Sequence, residues 1–489
     1  MPSVWPSRDG QFVVSALEQG PAAGATRHSL TSVGIDTYGD VPVTSVIDRT
    51  GQTIGLLVGT VIDIDGGVLS GGVQFDGFAT FADINEVVER CIYPLTGSFV
   101  FIVDIAGCRR IYLDADGSLS VVYDPETGRA GSTAMTLLDE GEYWQRLQTD
   151  MHGALGVGQS GWFTADITAH VGIRRLICNH CLDLDDWTAH RHWPTEPIQP
   201  ATDPATVFAG VLDRVGKTVA TLADAKEVSI ALTAGIDSRF VLAATRSLID
   251  RVSFVTVAAP AAKLDVVSAR ELAHRFGLRH DVLPYRGATP EQAEAWQIRA
   301  GHCITGANMT MHPSVEPLRG RYFVGGLGGE VGRGFLWLKA DADTPIDARG
   351  IVDRLKLPRH PQVIAAVERW LEPIAHFDTL LKLDLAYLEL RMSSWAFADA
   401  YANPVRTELH PMISRANFTA MLSVPPELRR SGAIFREAIS RSWPELLALP
   451  INRYGDWRDA SKRAIDLAAN PGRAVRKIKQ MVLTGPGSA

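Results

Sequence analysis

Val228-Ser-Ile-Ala-Leu-Thr-Ala-Gly-Ile-Asp-Ser238 is the stretch on which the reading of the chain turns. Its first five residues are mostly apolar and partly β-branched, the bias of a buried strand. Thr233-Ala234-Gly235 follows as a turn of small residues, then Asp237 and Ser238, then Arg239-Phe240-Val241-Leu242-Ala243-Ala244 with the character of a helix. Strand, small-residue loop and helix start together point backbone N–H groups and the positive helix end at an anion. Small side chains let the backbone approach a phosphate closely. Thr233 and Ser238 add hydroxyl groups, and Asp237 is placed to hold a magnesium ion against phosphate oxygens. The plain alternative is an ordinary strand-to-helix turn with Asp237 and Ser238 as cap residues. A Walker A loop is excluded, because no Gly-Lys-Ser/Thr follows the glycine.

Outward from this stretch the alternation continues. Arg251–Ala258 reads as a second apolar strand, Asp265–His280 carries a helix, and Asp281-Val-Leu-Pro284 is strand-like. Strand, helix, strand, helix, strand predicts an α/β fold with a doubly wound parallel sheet, whose ligands bind at the carboxyl ends of the strands. Ala205–Ala225 has helical periodicity before it. Downstream, Arg321-Tyr-Phe-Val-Gly-Gly-Leu-Gly-Gly-Glu-Val-Gly-Arg-Gly-Phe335 is a short apolar strand running into a loop with six glycines, Glu330 and Arg333. That glycine density is hard to justify by packing alone and suggests backbone approaching a ligand; a flexible turn with an exposed Glu is the alternative. Residues 351–450 read as helix-rich, with apolar positions at helical spacing over Leu380–Trp395, a run that includes Arg391.

Leu232-Thr-Ala-Gly-Ile-Asp-Ser-Arg239 resembles the pyrophosphate loop, Ser-Gly-Gly-x-Asp-Ser, of the asparagine synthetase family and its ATP pyrophosphatase relatives. Thr233 stands for the usual Ser and keeps its hydroxyl; Ala234 stands for the first Gly and is tolerable where φ is not positive. Asp265, Ala269, Leu272, Ala273, Gly277 and His280 keep the spacing of the family's next helix, mostly as packing positions. The resemblance implies an ATP site in which Leu232, Thr233, Ala234, Gly235, Ile236, Asp237 and Ser238 hold pyrophosphate. It places Val257, at a strand end, beside adenine, and Gly325 and Gly326 in the second phosphate-binding loop. Asp237, Glu330 and Arg333 are the implied catalytic residues, with Asp237 and Glu330 holding Mg2+. Relatives carry further acids where this chain has Gly326 and Gly329. Arg406-Thr-Glu-Leu-His-Pro-Met-Ile413 resembles the passage at the amino-acid end of the cleft, so Arg406 and Glu408 are candidates for substrate contact, with surface pairing as the alternative. The lysine that relatives place after a proline-bearing passage has no assignable counterpart among Asn452, Arg453 and Lys462.

The first 195 residues are of another kind. Short apolar runs such as Val41–Ile47 and Ile54–Ile62 alternate with Gly, Pro and Asp turns, a β-rich layer. Phe81–Glu89 has helical spacing. Leu95–Asp104, Arg109–Asp114 and Leu119–Tyr123 are expected to form a three-stranded meander. Asp114-Ala-Asp116-Gly117 reads as a turn, since an EF-hand needs a later glycine and a glutamate at its twelfth position. The meander resembles the class II glutamine amidotransferase-like (Ntn) domain of asparagine synthetases. Glutamine-using members expose a cysteine at residue 2 as nucleophile; here residue 2 is Pro and the first cysteine is Cys91. A glutaminase-silent domain is expected. Gly156-Val-Gly158-Gln-Ser-Gly161 has no preceding strand and is not a dinucleotide site. Cys178 and Cys181 lack the second pair that a zinc site needs and read as strand and loop residues. Expected boundaries are an amidotransferase-like domain over 1–195, a Pro-rich linker over 196–204, an ATP-binding domain over 205–460 and a basic tail over 461–489. The tail is read as a solvated helix, with a membrane-surface or peptide-binding helix as the alternative.

Bulk properties narrow the class. In 489 residues, 46% are hydrophobic, enough for large cores, and the net charge of −7 argues against a nucleic-acid partner. No apolar run is long enough for a membrane span, no signal pattern opens the chain, and five scattered cysteines form no disulfide framework, so a cytoplasmic protein is expected. The resemblance covers about residues 90–455 and implies an ATP-dependent, AMP-forming amide ligase: a carboxylate is adenylated, pyrophosphate leaves, and an amine displaces AMP. Without glutaminase the amine is ammonia or one on the substrate itself. The latter suits lactam or macrolactam cyclases of the β-lactam synthetase or lasso-peptide type, with a small-molecule or peptide carboxylate as substrate and a precursor peptide or partner protease as partner. Asparagine formation from aspartate and a nucleotide-binding pseudoenzyme are the alternatives.

Overall fold

Two kinds of sheet divide the chain, and they follow the two kinds of sequence. The computed structural model describes residues 5–75, 83–403, 407–456 and 458–459. Among these, the strands of residues 12–191 build a six-stranded antiparallel sheet and an eight-stranded mixed sheet, and those of residues 228–409 build a five-stranded parallel sheet. The protein is thus a mixed α/β chain.

The first two sheets face each other. Val14 and Ile35 of the six-stranded sheet pack in one core with Leu56, Val58, Val100 and Ile102 of the eight-stranded sheet. Because side chains alternate along a strand, the neighbours of these residues point the other way. Leu57, Val61, Phe99 and Phe101 meet Ile84, Val87 and Val88 of helix Ile84–Cys91. Val13 and Val122 meet Met135 and Leu137 of helix Ala134–Leu137, with Tyr143 beside them. The result is helix, sheet, sheet, helix. The expected meander is corrected here. Thr96–Ile105 and Cys108–Leu113 pair as a hairpin, Ile102 opposite Ile111, but Val121–Asp124 crosses to the other sheet and pairs with Arg129–Gly131 and Arg174–Leu176. The Asp114–Gly117 turn makes the crossing. Buried Asp114 accepts the N–H groups of Phe99, Asp116 and Ser118 at 2.9, 3.2 and 2.9 Å, so the turn is held from inside rather than left open to solvent.

The parallel sheet runs, in chain order, third–second–first–fourth–fifth: His280–Leu283, Ser253–Val257, Val228–Ala231, Tyr322–Val324, Thr407–Leu409. Both faces are covered, as parallel strands require. Phe254 and Val255 are successive residues of the second strand; Phe254 joins the large core, Val255 a separate cluster with Leu283, Val315 and Leu318. On one face the rings of Phe208, Phe240 and Phe435, 4.7–5.6 Å apart, lock helices Pro204–Ala225, Ile236–Ala244 and Ala433–Ser442 together. Helix Pro204–Ala225 begins where Asp203 accepts the Thr206 N–H and Pro204 occupies the first turn. Helix Lys263–Phe276 ends on Gly277 at φ +64. Expected helix Phe81–Glu89 is Ile84–Cys91, and its first two residues, 81 and 82, lie outside the described ones, as does the basic tail.

The two halves share one continuous core and a buried polar seam. Glu389, fully buried, accepts from Arg191 Nη1 and Nη2 at 2.8 and 2.6 Å, from Asn179 Nδ2 at 2.9 Å and from Trp370 Nε1 at 2.6 Å. Burial pushes its carboxyl up, but Arg191 and the other donors outweigh that and hold it below the usual range. Arg415 Nη1 donates to Asn179 Oδ1 at 2.6 Å and pairs with Glu89, extending the seam. Removing one member of a buried pair strands the other, at a cost of about 3–5 kcal/mol. Glu389→Ala is therefore expected to lower the urea midpoint by that order, whereas Arg109→Ala, which breaks the exposed Arg109–Asp185 pair, stays within about 1 kcal/mol. Equal effects would contradict the seam's role.

Candidate active site

In an open parallel sheet, the crevice lies where neighbouring strands send their connections in opposite directions. Here that point is between Val228–Ala231 and Tyr322–Val324, which pair directly in register Ile230 to Val324. The two stretches singled out in the sequence, 232–238 and 325–334, are the loops that leave the carboxyl ends of these two strands. Their convergence follows from the strand order.

The first loop is tied to itself. Ser238 Oγ accepts from the Thr233 N–H at 3.3 Å and from Thr233 Oγ1 at 2.9 Å, and the Gly235 N–H donates to Thr233 Oγ1 at 3.2 Å. The Ala234 N–H donates to Asp265 Oδ1 at 2.9 Å. The N–H groups read as aimed at a phosphate thus have partners, and one of those partners is an anion. Asp265, read as a packing position, is the loop's own carboxylate. Helix Ile236–Ala244 starts at Gly235 with no side chain capping it. Leu232, Ala234, Ile236 and Ser238 are buried, Ala234 has no positive φ, and Thr233, Gly235 and Asp237 face the crevice half-buried.

The glycines of the second loop correct the sequence reading. Most of them are close to protein groups. A side chain at Gly325 would strike the His410 ring, one at Gly332 the Phe435 ring and Met421, and one at Gly334, at φ +60, the Trp337 ring. At Gly329 a Cβ would overlap Asp237 Oδ1, whereas at Gly326 it would begin at ordinary contact, 3.4 Å from Asp237 and Ser238. An acid at 329 would have to displace the Asp237 carboxylate from its present place.

Across the crevice Arg333 Nη2 donates to Asp237 Oδ2 at 2.8 Å and stands 3.7 Å from Glu330 Oε1. Asp237, Glu330 and Arg333 are therefore brought together. The second oxygen of each carboxylate, Asp237 Oδ1 and Glu330 Oε2, is buried and has no hydrogen-bond partner. Two orphaned carboxylate oxygens suit a hard cation, and Mg2+ is often held by one or two carboxylates plus substrate phosphates. Among the described residues no group of three or more His, Cys, Asp or Glu is placed to hold a metal without such help. Burial raises the Asp237 carboxyl to about 6; Arg333 opposes the rise and Glu330 adds to it. Buried Tyr387 completes the wall, its phenol pushed up by burial and then by the charge of Glu330.

One side of the crevice is closed by the chain's later part. Arg239, almost wholly buried, donates through Nη1 to the carbonyls of Leu446 and Leu449 at 3.0 and 2.6 Å and through Nη2 to that of Pro450. The Asn452 N–H then donates to the Ala234 carbonyl at 2.9 Å. Beside it lies a cavity of about 230 Å³ lined by Arg239, Arg453, Tyr454 and Arg458 among others. Of the other expected residues, Val257 ends the second strand, which pairs with Val228–Ala231, and Glu408 lies on the fifth strand 3.5 Å from His410. Arg406 and Lys462 lie outside the described residues. Cys178 is buried in a turn and Cys181 in strand His180–Asp183; burial raises both thiols.

No family model matches the chain, and no curated protein matches it. No helix of the described residues is long and apolar enough to cross a membrane.

The raised Asp237 carboxyl has a definite consequence for stability. Between the unfolded value near 3.9 and the folded value of about 6, the native chain keeps a proton that the unfolded chain has lost. Stability therefore falls as pH rises through that window. Asp237→Asn cannot ionise and escapes the fall. Its urea midpoint is expected to gain on the wild type from about pH 4 to about pH 6 and then run parallel; a difference independent of pH would contradict the assignment.

Proposed function

We propose that the crevice is the ATP site of an ATP-dependent, AMP-forming carbon–nitrogen ligase of the asparagine synthetase type. The observation that carries this is the meeting of Asp237 and Glu330, with unpartnered carboxylate oxygens, and Arg333 at the switch point of a parallel sheet. The doubly wound sheet supports an ATP pyrophosphatase-type domain, and the helix–sheet–sheet–helix stacking of residues 12–191 supports an amidotransferase-like (Ntn) domain before it. Asp237 and Glu330 are the residues that would hold magnesium, which supplies neutralisation of the charge on departing pyrophosphate.

In this reading a substrate carboxylate attacks the α-phosphorus of ATP. The bond to the bridging oxygen of the β-phosphate breaks, and pyrophosphate leaves toward the Thr233–Ser238 loop. Arg333 brings positive charge to the same side, and the hydroxyls of Thr233 and Ser238, which donate within the loop, would have to turn from those bonds to reach a phosphate. An amine then attacks the acyl carbon and AMP leaves. A phosphate at the Ala234 N–H takes the place now held by Asp265. In this reading the amine is not drawn from glutamine: burial raises the thiols of Cys108, Cys178 and Cys181, so none of these three stands ready as a nucleophile. An amine on the substrate itself, closing a lactam or macrolactam, fits this best, with ammonia addition to aspartate as the other ligase reading.

One observation favours a second class. The loop's N–H groups are satisfied internally, by Ser238, Thr233 and Asp265, as in a protein that binds nucleotide weakly or has ceased to turn it over. Calorimetry with Mg2+ and ATP separates the two. Wild type is expected to bind and Asp237→Ala to bind at least tenfold more weakly, with pyrophosphate released only when a carboxylate substrate is added and no glutamate formed from glutamine. Equal binding by both proteins, or none by the wild type, contradicts the ligase site.

A further inference from the structure

A strip of aromatic rings leads away from the acid pair and ends on a cation. Tyr387, whose phenol feels both Glu330 and Asp237, packs tilted, at 4.9 Å between centroids, against Phe335, the residue just beyond the glycine loop. One turn on from Tyr387, the Arg391 guanidinium lies 5.4 Å from the Phe335 ring, 5.4 Å from Trp162 and 5.6 Å from Trp395. Trp162 and Trp395 meet edge to face at 5.7 Å.

The backbone beneath is built for this. Tyr387 and Arg391 belong to a π-helical segment, Ala386–Met392, a form that is uncommon and concentrated at functional sites. The Leu390 carbonyl in that segment accepts from Trp162 Nε1 at 3.0 Å and Thr164 Oγ1 at 2.7 Å, fixing the turn that presents Arg391.

Two features of the strip suit a ligand. Phe335 is 49% and Trp395 38% exposed, large rings left open beside the crevice mouth. Arg391 makes no ion pair with a carboxylate among the described residues. A guanidinium set among rings rather than against a carboxylate keeps its N–H groups for one, and the neighbouring rings exclude water, strengthening that contact.

We propose that Phe335, Arg391 and Trp395, backed by buried Tyr387 and Trp162, form the substrate-recognition surface of the site, taking a peptide in which an acidic side chain is flanked by aromatic residues. The inference rests on the ligase reading and names its substrate class. The carboxylate held by Arg391 is not the one activated, since the rings of Tyr387 and Phe335 separate Arg391 from Asp237 and Glu330. Free aspartate has two carboxylates but no apolar surface to cover the rings, so it is a poor occupant.

Fluorescence anisotropy with a fluorescein-labelled, C-terminally amidated Gly-Phe-Glu-Phe-Gly peptide tests this. The wild type is expected to bind it at least tenfold more tightly than Gly-Phe-Gln-Phe-Gly or Gly-Ser-Glu-Ser-Gly, with L-aspartate failing to compete. Arg391→Gln should abolish the Glu-over-Gln preference alone, and Trp395→Ala the Phe-over-Ser preference alone, so each variant reports on the other's folding. Absence of saturable binding, preferences that survive Arg391→Gln and Trp395→Ala, or full competition by L-aspartate would overturn the proposal. ATP binding is read separately: peptide binding without ATP binding sinks the ligase reading and leaves the surface standing, and the reverse sinks the surface alone.

Discussion

The ion pair between Arg333 and Asp237 joins two loops that are nearly a hundred residues apart in the chain, and the site takes its shape from it. It exists because the first and fourth strands of the parallel sheet are neighbours, so that connections running to opposite sides of the sheet start side by side. With Asp237 turned toward Arg333, its other oxygen lies where a side chain at 329 would begin, so a larger residue there would have to displace that carboxylate. The same arrangement gathers two acids and one guanidinium in a half-buried place. Burial prevails over the single cation and keeps the Asp237 carboxyl near 6 rather than near its usual value. A divalent cation arriving there would supply the charge that the site lacks.

The rest of the molecule holds this crevice in place. The buried Arg239 guanidinium draws the 446–450 passage over the loop by its carbonyls, and Asn452 closes onto Ala234. On the opposite flank, the π-helical segment carries Glu389 into the sandwich, where Arg191, Asn179 and Trp370 meet it, and carries Tyr387 and Arg391 toward the crevice. A buried charge with all its hydrogen bonds made contributes little net stability against a hydrophobic substitute, but it resists any other register. One segment thus couples the packing of the two halves to the wall of the site.

Much of this was legible in the residues, for reasons that can be named. Val228–Ser238 announced its strand, loop and helix because three independent signals, β-branched residues, small residues and a helix-like run, fall in succession. Glu330 and Arg333 stood out against a glycine background. What could not be read was set by contacts far apart in sequence. Asp265 reads as one of several packing positions at family spacing, and its bond to the Ala234 N–H depends on the spacing of two strands. The glycines of 325–334 looked like room for a ligand, but several make room for His410, Phe435, Trp337 and Asp237. Val121–Asp124 has the look of a third meander strand, and local pattern does not say which of two facing sheets it joins. Thr407–Leu409, at three residues, is too short to show a period. The π-helical segment has ordinary helical spacing, so neither Tyr387 nor Arg391 was distinguishable from core.

The most direct test is to look for the cation. Crystals of the protein grown with Mn2+ and α,β-methylene-ATP, measured at the manganese absorption edge, give an anomalous map that depends on no prior placement. The account predicts one strong peak between Asp237 and Glu330, with phosphate density reaching the Thr233–Ser238 loop and Asp265 moved off the Ala234 N–H. An empty crevice, or manganese and nucleotide bound elsewhere on the molecule, would contradict it.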